Sequence, residues 1–260
     1  MADDFEAAGV LDSLNRAGQG TWHLVCRLRG GRKTGAWVVE DREGVRAVLK
    51  WHPKASTRWE LDGTAALVAR ARARGWPTPA WLAWGLDGWR RPYVLAELVA
   101  GEHLDAMDDV ALDALLAVLD RQRGLAGPGG AGWAGYARRA VFGDGSAWQA
   151  ALRRQSPEAL EAGEAIARRA APFRDVQLPG ADLVHMDFGL HNVLFRSGEV
   201  VAVVDLEGVG RGPVAVDVAT VCLASALFDW CVFATGGWEP EAVTAYLLRA
   251  ASLFERLAGP

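Results

Sequence analysis

The stretch from 183 to 207, LVHMDFGLHNVLFRSGEVVAVVDLE, sets the tightest limit on what this chain can fold into. Apolar runs of strand character flank a loop, HMDFGLHN, in which His185, Asp187, His191 and Asn192 fall within eight positions. Polar groups beside a core are costly unless they are paired. The loop therefore either caps its own backbone, as Asp and Asn commonly do, or gathers side chains that have separate chemical tasks. RSGE (196–199) reads as a four-residue turn, which pairs Phe195 with Val200 and Asn192 with Val203. On that register Asn192 and Asp205 project from one face as diagonal neighbours, about 7–8 Å apart at the backbone.

Two oxygen-bearing side chains at that spacing can converge on one Mg2+, and Glu207, of the same parity, is a further candidate ligand. Strand signals also fill the first hundred residues. TWHLVCRL (21–28) is followed by the glycine-containing RGGRKTG (29–35), then by AWVVE (36–40) and VRAVLK (45–50) across a DREG turn. That turn pairs Glu40 with Val45 and Gly35 with Lys50, which sets an ammonium beside a segment whose backbone amides can approach phosphate oxygens. Helical spacing runs from Ser56 to Gly75, and WLAWGLDGWRRPYVLAEL (81–98) is a second hairpin. Beyond VAGEHL the apolar residues recur at three- and four-residue steps, with Ser156-Pro157 as one helix start.

The bulk numbers exclude several classes. The 260 residues suffice for one large or two small domains, and 51% hydrophobic with 23% charged residues is a globular composition. A net charge of −4 does not favour a nucleic-acid partner and is compatible with a cationic small molecule. Cys26, Cys222 and Cys231 are odd in number and lack a CxxC pair, so they are expected to be reduced, mostly buried thiols of a cytoplasmic protein. The acidic N-terminus lacks the features of a signal peptide. The apolar stretch near 214–235 is broken by Asp217 and Asp229 and is expected to be a buried helix, with no membrane partner.

Taken together, HMDFGLHN as H-x-D-x-x-x-x-N, the aspartate of VVDLE thirteen residues after the Asn, Lys50 on the third strand and RGPVAVDVATVCL resemble the kinase-like fold in its aminoglycoside phosphotransferase and choline kinase branch. The resemblance implies an α+β bilobal fold. A nucleotide-binding lobe over 1–97 would hold a small antiparallel sheet with one helix, and a larger, mainly helical catalytic lobe would span 98–260. It implies ATP or GTP and Mg2+ as cofactors, and a chain that is a monomer or homodimer. Asp187 would accept or orient the proton of a substrate hydroxyl, and Asn192 and Asp205 would hold the metal. Lys50 would touch the nucleotide phosphates, braced by Glu60 or, second, Asp62. Gly31, Lys33, Thr34 and Gly35 would cover the phosphates, and the backbone at Glu97, Leu98 and Val99 would receive the adenine. His185 and Asp217 would support the loops. Two departures stand out: Arg211-Gly212-Pro213 lacks the first aspartate of the family's G-D segment, and Glu207 follows the choline kinase pattern.

These motifs do not name the acceptor. Its contacts are expected from the larger lobe, with His191, Glu207, Asp229, Trp230 and Glu239 as candidates, and Asp144, Glu241, Trp133, Trp148 and Trp238 nearby in sequence. A kinase for a cationic antibiotic, an aminoglycoside or a basic peptide of the viomycin and capreomycin type, is the leading expectation. A metabolic kinase for choline, an amino alcohol or a sugar is the first alternative, and a nucleotide-binding scaffold without catalysis is the second.

Overall fold

The computed structural model describes residues 2–28, 36–52, 61–104, 108–128, 132–136, 146–178 and 180–222. The chain divides into two compact units, residues 1–104 with 193–209 and residues 105–192 with 210–260.

The first unit is built on a five-stranded antiparallel sheet in the order β1-β2-β3-β5-β4. Its strands are β1 (Trp22–Arg27), β2 (Ala36–Asp41), β3 (Arg46–Trp51), β4 (Trp81–Leu86) and β5 (Pro92–Glu97). Period-2 patterning gives the sheet two faces. On one, Trp37, Val39, Ala47, Leu49, Trp51, Tyr93 and Leu95 form a core with Ala7, Val10, Leu11 and Leu14 of an N-terminal helix, α1 (Ala2–Arg16). Lys50, one residue out of phase with Leu49 and Trp51, belongs to the other face. Helix α2 (Leu61–Ala73) ends as its sequence demands: Gly75 is left-handed (φ +78°), and Trp76 N–H donates to Ala71 O at 3.0 Å. The expected start of this helix at Ser56 lies outside the described residues.

Two aspartates shape the hairpins. Asp41 N–H donates to Val45 O at 3.0 Å, and its carboxylate accepts from Glu43 N at 2.9 Å and Val45 N at 2.8 Å. Asp87 repeats the pattern with Arg91 O, Trp89 N and Arg91 N. Each closes a three-residue loop whose last member, Gly44 or Arg90, has positive φ. The DREG turn is therefore not the four-residue turn expected. Glu40 pairs with Arg46, and Lys50 pairs with Ala36 in place of Gly35.

Strands β7 (Val193–Arg196) and β8 (Glu199–Val203) also belong to the first unit, although the sequence reading grouped them with the second. They join it through paired hydrogen bonds between Glu102 and Phe195, 2.9 and 2.8 Å, and through Val203 N–H to Pro77 O at 2.8 Å. Their turn is tighter than RSGE suggested, with Ser197 (φ 53°) and Gly198 (φ 80°) alone between the paired Arg196 and Glu199. Phe195 does face Val200, but an irregularity between Leu194 and Phe195 then shifts the register, so Val193 and not Asn192 faces Val203. The common-face argument for Asn192 and Asp205 fails at that bulge.

The second unit holds helices α3 (Asp109–Arg121), α4 (Ser146–Gln155), α5 (Pro157–Ala170) and α6 (Ala215–Cys222), and a short sheet of β6 (Asp182–Val184) with β9 (Gly210–Gly212). Asp108 caps α3 through Ala111 N at 2.8 Å, and Ser156 caps α5 through Ala159 N at 3.1 Å ahead of Pro157. No described helix is long and apolar enough to cross a membrane. Cys26 is free and exposed, because β1 is an edge strand with mostly exposed side chains.

Gly101 permits the approach of residues 101–104 to the β7–β8 hairpin. A Cβ there would lie 2.9 Å from both Leu194 Cβ and Val201 Cγ2, and 3.2 Å from Phe195 O. Gly101→Ala is expected to destabilise the protein by about 1–3 kcal/mol. Gly180→Ala, where a Cβ meets nothing within 4 Å, should be neutral. Paired thermal denaturation curves check both.

Candidate active site

In the second unit the site begins with a buried carboxylate. Asp217, in the first turn of α6, is wholly buried and accepts His185 N–H at 2.6 Å, Met186 N–H at 2.8 Å and Gln122 Nε2 at 3.0 Å. These bonds hold Met186 in the left-handed region (φ 74°), a conformation unfavourable for a long side chain. Burial pushes the Asp217 carboxyl up, against the pull of His185 and of the donors. His185 is buried edge-on to Phe188, ring centroids 6.0 Å apart, and its Nδ1 accepts Asp187 N–H at 3.3 Å.

Asp187 emerges from this frame partly exposed. Asn192 Nδ2 donates to the Asp187 carbonyl at 2.8 Å and to its Oδ2 at 3.0 Å. His191 Nε2 stands 3.3 Å from Oδ1 and 3.4 Å from Oδ2. Burial disfavours the carboxylate, but His191, His185 and Asn192 outweigh it and hold Asp187 below its ordinary range. Asp187 is thus an ionised acceptor at neutral pH. Both Asn192 bonds use the amide nitrogen, which leaves the amide oxygen as a hard donor for a cation.

In the first unit Lys50 Nζ binds Asp205, and it stands 2.9 Å from Glu207 Oε1 and 3.2 Å from Oε2. Asp205 itself is left-handed (φ 65°) at the end of β8, and Glu207 sits in the turn Leu206–Gly208 anchored by buried Leu206. Burial alone would lower the Lys50 ammonium; Glu207 and Asp205 prevail and raise it, so it carries its charge. Asp62, the second candidate to brace Lys50, instead accepts Trp84 Nε1 at 2.8 Å. Glu60 lies outside the described residues.

The carboxylate pair suits a divalent ion, since it already holds a cationic group between two hard oxygen donors. Among the described residues no group of three or more His, Cys, Asp or Glu side chains forms a metal cluster on its own.

The remaining candidates divide clearly. Gly31, Lys33, Thr34 and Gly35 lie outside the described residues, although Leu28 N–H to Ala36 O at 2.8 Å joins the two ends of that segment beside Lys50. The Glu97 carboxylate folds back onto Arg72 at 2.9 Å and Ala80 N at 3.2 Å. Leu98 is exposed and Val99 half-buried just past β5. Asp144, Asp229, Trp230, Trp238, Glu239 and Glu241 are outside the described residues, and Trp148 is described in its backbone alone. Trp133 packs its indole on β9, 2.8 Å from where a Gly210 Cβ would stand, and edge-on to Tyr136. Sequence reasoning missed Gln122, a partner of Asp217 that no local pattern marks.

Removing the Asp217 carboxylate strands three donors. Asp217→Ala is expected to cost about 3–5 kcal/mol in denaturant unfolding, and Asp217→Asn, with one acceptor oxygen in place of two, to recover only part. Burial pushes Glu207 up to about 7, from an ordinary 4.5, against the pull of Lys50. Folded Glu207 then keeps a proton that the unfolded chain has lost, so its contribution to stability falls as pH rises between 4.5 and 7. Glu207→Gln should flatten that slope in the metal-free protein. Parallel wild-type and variant stability curves across the window would refute the assignment.

Comparison with known proteins places this geometry. Residues 25–259 match the phosphotransferase enzyme family, APH. No curated protein matches the chain. Among solved structures, a thermostable mutant of the aminoglycoside phosphotransferase APH(4)-Ia, in a ternary complex with ADP and hygromycin B, is 19% identical with a TM-score of 0.59, over 85% of this chain and 78% of that one. Aminoglycoside-3'-phosphotransferase of type VIII is 23% identical with a TM-score of 0.57, over 93% and 90%. APH(3'')-Id from Streptomyces rimosus is 20% identical with a TM-score of 0.52, over 94% and 96%. At these identities the likeness is one of fold. The family match covers nearly the whole chain, and the chain belongs to the phosphotransferase enzyme family.

Proposed function

We propose that the protein transfers the γ-phosphoryl group of ATP to a hydroxyl of a cationic antibiotic, an aminoglycoside or a basic peptide of the viomycin and capreomycin type, and so confers resistance in the cytoplasm. One observation carries the chemical part of this reading. Asp187 is an ionised, solvent-reachable carboxylate on a loop held rigid by a buried acid, and it is fixed by the nitrogen of an amide whose oxygen stays available. A chain that merely binds nucleotide has no use for such a group.

In this mechanism Asp187 accepts the proton of the acceptor hydroxyl as its oxygen forms a bond to the γ-phosphorus, while the bond from that phosphorus to the bridging oxygen breaks and ADP leaves. Asp187 then gives the proton to solvent. Lys50 directs its positive charge at the nucleotide phosphates, and Asn192 and Asp205 offer oxygens to Mg2+. When bound, Mg2+ neutralises charge on the phosphates. Most of the acceleration comes from positioning and electrostatics, so Asp187 needs no raised pKa. The net charge of −4 and the hygromycin B bound by one structural relative support a cationic acceptor.

Purified protein incubated with ATP and Mg2+ against a panel of basic antibiotics, choline, amino alcohols and sugars should phosphorylate one of the antibiotics. Asp187→Asn is expected to lower kcat by about 10²–10⁴-fold. Expression in a susceptible bacterium should raise tolerance to the same compound. Turnover with choline or a sugar and unchanged susceptibility would replace the antibiotic reading with the metabolic one. No Mg2+-dependent turnover with any acceptor would leave a nucleotide-binding scaffold.

A further inference from the structure

The proposed mechanism gives His191 no step in phosphoryl transfer, yet the loop holds its ring in a defined place. The loop doubles back at Gly189, whose N–H donates to Asp187 O at 3.0 Å and whose carbonyl accepts Asn192 N–H at 2.9 Å. That turn brings the His191 ring over Gly189, with Cε1 2.7 Å and Nδ1 2.8 Å from where a Cβ would stand. Only a residue without a side chain at 189 leaves room for the ring. The ring's other nitrogen, Nε2, then faces both oxygens of Asp187 at 3.3 and 3.4 Å. An ionised carboxylate can only accept, so Nε2 carries the hydrogen in this contact.

We infer that His191 is a positioning residue for Asp187, with Gly189 as the seat that makes its placement possible. This rests on the phosphotransferase reading of the site. Asn192 Nδ2 engages one carboxylate oxygen, Oδ2, and leaves rotation about the Cβ–Cγ bond open. Nε2, hydrogen-bonded to Oδ2 at 3.4 Å and standing 3.3 Å from Oδ1, restrains that rotation and hence the direction of the carboxylate's free lone pairs. A hydroxyl presented to Asp187 then meets an acceptor already aligned, which is where positioning lowers a barrier. The His191 side chain is 58% exposed, so its removal takes little from the folded state. Its effect belongs to the reaction and not to stability.

The test uses Mg2+-dependent ATP hydrolysis, with water as the acceptor, in the intact protein. His191→Ala should lower kcat by about 10–100-fold with KM for ATP within about twofold and the melting temperature unchanged. His191→Gln, which can bring an amide N–H to the same carboxylate, should restore part of the rate. Gly189→Ala leaves the histidine in place but displaces its ring, and should lower kcat to a similar degree. The double variant should be no slower than either single one, because both remove the same contact. Unchanged kcat in His191→Ala, multiplying losses in the double variant, or a loss that falls wholly on KM would overturn the inference. Absence of Mg2+-dependent turnover in the wild type, with water or with any acceptor of the panel, would overturn the reading beneath it, and the inference with it.

Discussion

The Asp217 carboxylate is the interaction on which the loop that carries Asp187 depends. A buried charge is tolerated only when its lone pairs are taken up, and here two backbone amides and one side-chain amide do so. The donors come from two places in the chain, the end of α3 and the loop after β6, and the acceptor stands on α6. One side chain thereby joins elements nearly a hundred residues apart, and it stabilises a left-handed Met186 that the local sequence does not favour. Asp187 inherits its direction from that kink. Its own hydrogen bonds refine an orientation that Asp217 has already imposed.

The first unit solves a different problem, that of keeping a lysine charged among apolar strands. Lys50 sits on β3 one step out of phase with the core face, and its ammonium reaches Asp205 and Glu207. Those two acids stand where β8 ends, in a left-handed residue and the tight turn after it. The strand ends set their position, and the strand ends depend on turn chemistry. Asp41 and Asp87 close their hairpins with the same three hydrogen bonds, and Ser197-Gly198 closes the third with two positive φ angles.

Much of this was legible from the residues, and the failures have physical causes. Alternating apolar residues marked all five sheet strands, and Ser156-Pro157 and Gly75 marked helix ends that the structure has. Register was missed by one at Lys50 because an Asp that bonds two amides ahead shortens a loop, an effect that counting turn residues ignores. It was missed at Asn192 because nothing in LFRSGEVV announces a bulge. Helix α1 is not among the expected elements, although Ala7, Val10, Leu11 and Leu14 carry the helical spacing that packs it on the sheet. The partners of Lys50 lie 155 and 157 residues away, and such pairing is a property of the folded chain. The residues of HMDFGLHN were visible as a cluster. That His191 bends back onto Asp187 over Gly189 follows only from coordinates.

The central proposal is that Lys50 and Asp205, which the first unit brings together, serve a metal-bound nucleotide. It is tested most directly by an experimental structure with Mg2+ and a non-hydrolysable ATP analogue. The proposal predicts a cation bound by an Asp205 carboxylate oxygen at about 2.0–2.1 Å, with the Lys50 ammonium on the phosphates. A nucleotide bound with its phosphates away from Lys50, or a cation that ignores Asp205, would contradict it.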